Sequence, residues 1–214
     1  MDLLREMRQR RLFFDGGTGS LLQAQGLKAG ELPEVWSITR PEVCVKLHRD
    51  YLEAGADIIK TNTFGANGLK FKGRENASGA QGPEAGLPAA DRPADSYSVD
   101  EIVTAAMKNA RRAVAEAGHG YIALDLGPTG KLLKPLGDLD FEAAVELYKE
   151  VVRIGRREGA DLVLIETMSD SYETKAAVLA AKEGCDLPIF VTVTFDERGK
   201  LLTGGSPASI VAML

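Results

Sequence analysis

Apolar runs that end in small or polar residues recur along the chain, with stretches of helical periodicity between them. Residues 11–17, Arg-Leu-Phe-Phe-Asp-Gly-Gly, read as a first buried strand running into a glycine turn. Residues 57–64, 121–128, 161–167 and 188–195 read as four further strands. Pro41 opens a helix to residue 54, with Val43, Leu47, Tyr51 and Leu52 at helical spacing. Further helices are predicted over 99–117, stopped by Gly118; from a cap at Asp140 to residue 158; from 171 or 172 to 183; and onward from Ser206-Pro207. Continuous apolar strands alternating with helices indicate a parallel sheet covered by helices, either an open doubly wound sheet or part of a barrel. A full (β/α)8 barrel takes about 250 residues and eight units. The 214 residues supply five such strands. The expected fold class is therefore α/β: a TIM-type (β/α)8 barrel, incomplete, comprising about the first five β/α units.

Residues 73–98 interrupt this pattern. They are rich in Gly, Ala, Pro and Asp and nearly empty of large apolar groups, so they have little surface to bury against the entropy of ordering. The strand–helix alternation resumes directly afterwards. The expectation is one domain over 1–214 with a flexible surface insertion at 73–98.

Composition narrows the function classes. A net charge of −5, from 26 basic and 31 acidic side chains without long runs of either sign, offers no footprint for nucleic acid or an anionic membrane. No apolar stretch approaches the roughly 18 residues of a membrane span. The charged N-terminus lacks the apolar core of a signal peptide, which predicts a cytoplasmic protein. Cys44 and Cys185 lie far apart without metal-ligand spacing and read as two isolated buried thiols.

Parallel α/β sheets and barrels bind ligands at the carboxyl ends of their strands. Those ends carry Asp15, Gly16 and Gly17; Thr61, Asn62 and Thr63; Asp125 and Gly127; Glu166 and Thr167; and Thr194 and Asp196, with Lys60 the sole cation. Such a rim suits an ammonium group better than a phosphate. The glycines of Asp15-Gly16-Gly17-Thr18-Gly19 either let backbone N–H groups approach a ligand carboxylate or serve a turn that needs positive φ. They are no dinucleotide fingerprint, because Leu22 stands where the third glycine belongs. Glu166, directly after Leu162-Val163-Leu164-Ile165, either pairs with a protein cation or awaits a cationic ligand. Asn62 offers a donor and an acceptor, or caps its own loop. Lys60 points outward, or serves a metal-free, aldolase-like chemistry. His48 reads as a packed helix residue, and His119 precedes a strand on the face away from the chemistry.

Asp15-Gly16-Gly17-Thr18-Gly19, Trp36-Ser37-Ile38-Thr39-Arg40-Pro41-Glu42, His48-Arg49-Asp50-Tyr51, Ala54-Gly55-Ala56-Asp57, Thr61-Asn62-Thr63-Phe64-Gly65-Ala66-Asn67, Leu126-Gly127-Pro128-Thr129-Gly130 and Ile165-Glu166-Thr167-Met168 stand in this order. Together they resemble the homocysteine S-methyltransferases, including the homocysteine domains of cobalamin-dependent methionine synthases and of relatives fused to a methylenetetrahydrofolate reductase. The resemblance implies a (β/α)8 barrel that binds homocysteine through its thiolate to zinc. The methyl group would come from methylcobalamin, methyltetrahydrofolate, betaine or S-methylmethionine. It also implies that Asp15, Gly16 and Gly17 face the amino acid, that Glu166 holds its ammonium, and that Asn62 and Thr63 help line the pocket. The family's zinc cysteines follow the sixth and eighth strands, beyond Leu214, and Cys44 and Cys185 do not replace them. The expectation is an N-terminal fragment inactive alone, with cobalamin, folate or reductase modules as further partners. The other reading is a non-catalytic binding or assembly subunit whose barrel another chain completes.

Overall fold

A computed structural model describes residues 3–71 and 92–214. Its sheet consists of β1 (Ile58–Lys60), β2 (Tyr121–Leu126), β3 (Leu162–Met168) and β4 (Ile189–Val193), all parallel and in that spatial order. Helices alternate with them: α1 (Leu3–Met7), α2 (Thr18–Ala24), α3 (Trp36–Thr39) and α4 (Pro41–Glu53) precede β1. α5 (Val99–Ala117) leads into β2, α6 (Phe141–Arg157) into β3, α7 (Ser171–Gly184) into β4, and α8 (Pro207–Met213) follows.

The strand predicted over 11–17 is reduced to a single parallel bridge between Phe14 and Ile58. Its backbone still runs alongside β1: the Asp15 N–H donates to the Ile58 carbonyl, and the Phe13 carbonyl accepts from Asp57 and Ile58. Pairing goes no further because the Asp57 carboxylate takes the Phe13 N–H and the chain turns at Gly17 into α2.

Period-two alternation sorts the strand residues between two layers. Ile59, Ile122, Leu124, Leu126, Val163 and Ile165 face outward into the main core against α4–α7. Ile58, Tyr121, Ala123, Leu162 and Leu164 face inward, where Leu3 of α1 and the half-buried Leu12 and Phe190 join them. Phe14 meets Phe190 edge-on, with ring centroids 6.1 Å apart. That contact links the first bridge to the last strand across the concave face, the curvature a barrel requires.

Local signals explain most helix boundaries. Ser98 and Glu101 form a capping box at the start of α5, and Gly118 ends it in the left-handed region at φ 76°. Asp170 caps α7 through the Tyr172 and Glu173 N–H groups. Asp140 occupies the N-cap position of α6 without a cap bond from its side chain, which pairs with Lys134 at 2.8 Å. Most of the insertion expected at 73–98 lies outside the described residues. Its last part is described: Tyr97 is fully buried in the core, and the Arg92 guanidinium sits 4.3 Å from the centre of its ring.

Candidate functional site

On each of three adjacent strands, an inward position above the apolar layer carries a charge: Lys60 on β1, Asp125 on β2 and Glu166 on β3. Each stands two residues beyond an inward apolar residue, Ile58, Ala123 and Leu164. Lys60 does not point outward. Its Nζ lies 3.1 Å from Glu166 Oε2 and 3.4 Å from Oε1, in a pair whose side chains are only 13% and 19% exposed. Asp15 completes the group by accepting the Lys60 backbone N–H at Oδ2, 2.9 Å away.

Negative charge exceeds positive here. Burial pushes the Asp15 carboxyl up to about 6, the nearby Glu166 charge adding to the effect and Lys60 opposing it. Burial also raises Asp125 well above the ordinary carboxylate range; the charges of Glu166, Asp15 and Glu34 act in the same direction and that of Lys60 against it. Burial by itself would lower Lys60, but Glu166, Asp125 and Asp15 outweigh it and leave the ammonium held more firmly than usual. Asp15 Oδ1, Asp125 Oδ1 and Glu34 Oε2 are buried without a hydrogen-bond partner among the described residues. Glu34, unmarked by any strand end, reaches the site from the turn before α3, where its Oε1 accepts the Gly65 N–H at 2.8 Å.

The backbone at Glu166 is bent to aim it. The β3–β4 register shifts between Ile165 and Met168, and Thr167 sits at φ 62°, the sole non-glycine residue with positive φ among those described. A bulge beside a strained residue is a common device for redirecting a functional side chain.

Gly16 and Gly17 do not have positive φ, which removes the reading of a turn that needs it. Gly16 stands in close approach to a side chain: a Cβ there would lie 2.8 Å from the Tyr51 hydroxyl, which donates to the Gly17 carbonyl at 3.1 Å and would have to shift. Gly17 precedes α2, and Gly19 lies within it. Asn62 and Thr63 are buried as ties between loops. Asn62 Nδ2 donates to the Pro33 carbonyl at 2.7 Å and to Ser37 Oγ at 3.2 Å, while Thr63 Oγ1 donates to the Asp125 carbonyl at 2.7 Å. The structure thus brings Asp15 and Glu166 together around Lys60, sets Gly16 and Gly17 beside Asp15, and uses Asn62 and Thr63, in the loop that follows β1, to tie neighbouring segments.

Among the described residues, no group of three or more His, Cys, Asp or Glu side chains is arranged to hold a metal ion. Cys44 is buried near Ser37 and Asn62, its thiol pushed up to about 11 by burial. Cys185 is only half-buried, unlike the buried thiol expected, because it stands just past the end of α7, where its Sγ donates to the Ala181 carbonyl. The described residues therefore do not fit the zinc that the resemblance implies. Two cavities lie away from the rim: one of about 310 Å³ between α2 and α4, the other of about 600 Å³ along residues 7–14.

These features define a partial (β/α)8 barrel whose rim carries Asp15, Lys60, Asp125 and Glu166. The homocysteine S-methyltransferase family model matches residues 12–214, and the chain belongs to that family. Methionine synthase of Mycobacterium leprae (strain TN) is 32% identical over 223 residues, 99% of this chain and 17% of that protein. Methionine synthase of Mycobacterium tuberculosis (strain ATCC 25618 / H37Rv) is 34% identical over 218 residues, 95% of this chain and again 17% of the relative. The chain thus spans under a fifth of the length of these two relatives. Among solved structures, the metallated form of the homocysteine methyltransferase MmuM from Escherichia coli superposes with a TM-score of 0.76 at 22% identity, covering 100% of this chain and 74% of that one. Its apo form gives 0.69, covering 99% and 70%. These likenesses establish the fold as that of a homocysteine methyltransferase barrel.

Proposed function

We propose that this chain binds homocysteine as the acceptor in methyl transfer to its sulfur, and that the residues described supply the amino-acid side of the site. The observation that carries the reading is the rim itself: Glu166 pairs with Lys60, the carboxyls of Asp15 and Asp125 act on the same lysine through their charge, and each of these two keeps a buried oxygen without a partner among the described residues. An ammonium group entering there offsets the excess charge and supplies the missing donors. Glu166 and Asp15 take the ammonium. Gly16 and Gly17, without side chains, leave backbone open to the ligand carboxylate. Asn62 and Thr63 hold the loop beneath. Zinc, a methyl donor of the methylcobalamin or methyltetrahydrofolate type, further cobalamin, folate or reductase modules, and a cytoplasmic location remain part of the proposal through the family. No metal-dependent step is assigned to these side chains. The chain alone is expected to bind without turning over. No helix among the described residues is long and apolar enough to cross a membrane.

Isothermal titration with L-homocysteine tests this. Saturable binding is expected at pH 7.5, at least about tenfold weaker in Glu166→Gln, which loses one charge-assisted contact. It should weaken further as pH falls below 6, where Asp15 takes up a proton. Binding indifferent to Glu166 would defeat the reading. A second reading, an assembly subunit whose barrel another chain completes, is favoured by the half-buried β4 and by Leu202 and Val211, 74% and 76% exposed. A stable complex with a partner chain, and no homocysteine binding by this chain alone, would select it.

A further inference from the structure

Glu166, the residue proposed for the substrate's ammonium, already holds an ammonium: Lys60 Nζ contacts both of its carboxylate oxygens. Lys60 lies on β1 and Glu166 on β3, with β2 between them. At about 4.8 Å per strand spacing, the two side chains together must bridge nearly 10 Å of sheet, across the strand that carries the buried Asp125. Its four-carbon stem allows this reach and equally allows withdrawal. The destination carries the same chemical group that an α-amino acid would present.

We infer that Lys60 is a specificity-determining residue, a tethered stand-in for the substrate's α-ammonium that a ligand must displace to gain Glu166. The inference rests on the proposed binding of homocysteine, and it goes beyond it by giving the empty site a competitor of its own. Two consequences follow. A thiol without an amino group leaves the Lys60–Glu166 pair intact and gains nothing from the acidic rim. An amino acid exchanges one ammonium for another, so the affinity measured is the difference between the two. Asp15 and Asp125, with oxygens left without partners beside the pair, provide the surplus that favours exchange. Lys60 thereby keeps the empty rim from attracting simple cations while admitting a ligand that brings other contacts as well.

The test is isothermal titration of the whole chain with L-homocysteine and with 4-mercaptobutanoate, its counterpart without the amino group. Wild type, Lys60→Met, Lys60→Arg and Glu166→Gln are compared, with circular dichroism as the control for folding. Lys60→Met should bind homocysteine about tenfold more tightly, one ion pair no longer having to be broken, and should bind 4-mercaptobutanoate as wild type does. Lys60→Arg should bind homocysteine no better than wild type. In carbon-detected NMR, the Lys60 Cε signal should move toward the value of a solvated lysine as homocysteine is added to wild type. Unchanged or weaker homocysteine binding by folded Lys60→Met, with Glu166→Gln still impaired, overturns the role of Lys60 and leaves the ammonium site standing. Homocysteine binding that Glu166→Gln does not affect, or its absence in wild type, removes both.

Discussion

The outer face of the sheet buries Ile59, Ile122, Leu124, Leu126, Val163 and Ile165 against α4–α7 in one continuous core. The inner face carries a thin apolar layer of Ile58, Tyr121, Ala123, Leu162 and Leu164, and above it a charged rim. The outer layer is closed over β1 to β3, whereas β4 is at most half-buried on either face. One face therefore has the composition of a folding core and the other the composition of a site. Alternation along the same strands makes both, so a shift of one residue would exchange them.

Truncating one inward-facing and one outward-facing residue is the strongest way to break that comparison. Leu124, fully buried on the outer face, should cost about 2–5 kcal/mol when changed to Ala, since its surroundings are held on all sides and cannot collapse into the gap. Phe190→Ala removes a larger side chain from the inner face but should cost only about 1–2 kcal/mol, because the ring is half-exposed before it is deleted. Urea unfolding monitored by circular dichroism measures both. If Phe190→Ala proves the more damaging, the inner layer carries stability that the proposed division denies it.

Acid titration sharpens the same contrast. His48 of α4 is fully buried, neither ring nitrogen has a hydrogen-bond partner among the described residues, and burial lowers its pKa to about 4. Unfolded, it titrates near 6.5, so the folded state resists the proton. Its contribution to stability is complete above pH 6.5 and is lost as pH falls toward 4, by up to about 3 kcal/mol. His48→Leu should remove that acid slope. Asp15 on the rim works in the opposite direction. Its folded pKa near 6 lies above its ordinary value, so its favourable contribution holds below the unfolded pKa and is lost as pH rises through 6. Asp15→Asn, which keeps an acceptor for the Lys60 N–H, should therefore be more stable than wild type at pH 7.5 and similar to it near pH 4. A core histidine that dislikes acid and a rim carboxylate that dislikes base would mark the two faces in one pair of stability curves.

How much of this was legible follows from what writes each feature. Four of the five predicted strands form the sheet because their apolar runs are long, and the helices of the β/α units appear where caps, Pro41 and Gly118 mark them. The short helix α2 (Thr18–Ala24) is not among the predicted elements, because Gly17 and Gly19 at its start carry no helix signal. Counting by two from Ile58 assigns Lys60 to the inner face, yet a lysine on a strand invites an outward reading. Its reach across β2 to Glu166 depends on curvature that sequence does not state. Glu34 arrives from a turn before α3 and carries no local sign that its charge acts on Asp125. The roles of Asn62 and Thr63 as ties rest on bonds to Pro33, Ser37 and Asp125, 25 or more residues distant in the chain for each partner.

Thr167 bears the smallest effect and the most direct link between the two faces. Its side chain is exposed, so its replacement disturbs little packing, while φ 62° is costly for a β-branched residue. Its N–H donates to Thr192 Oγ1 at 3.0 Å, a bond that glycine would keep. Thr167→Gly should relieve the strain and, after the added freedom of the unfolded chain is offset, stabilise the protein by about 0.5–1 kcal/mol. The same relief would let the bulge relax and Glu166 swing from its aim at Lys60. A gain in the urea midpoint accompanied by weaker homocysteine binding is therefore expected. A gain in stability with binding unchanged would place the strain outside the site's work, and Glu166 would then be held by its ion pair rather than by the backbone beneath it.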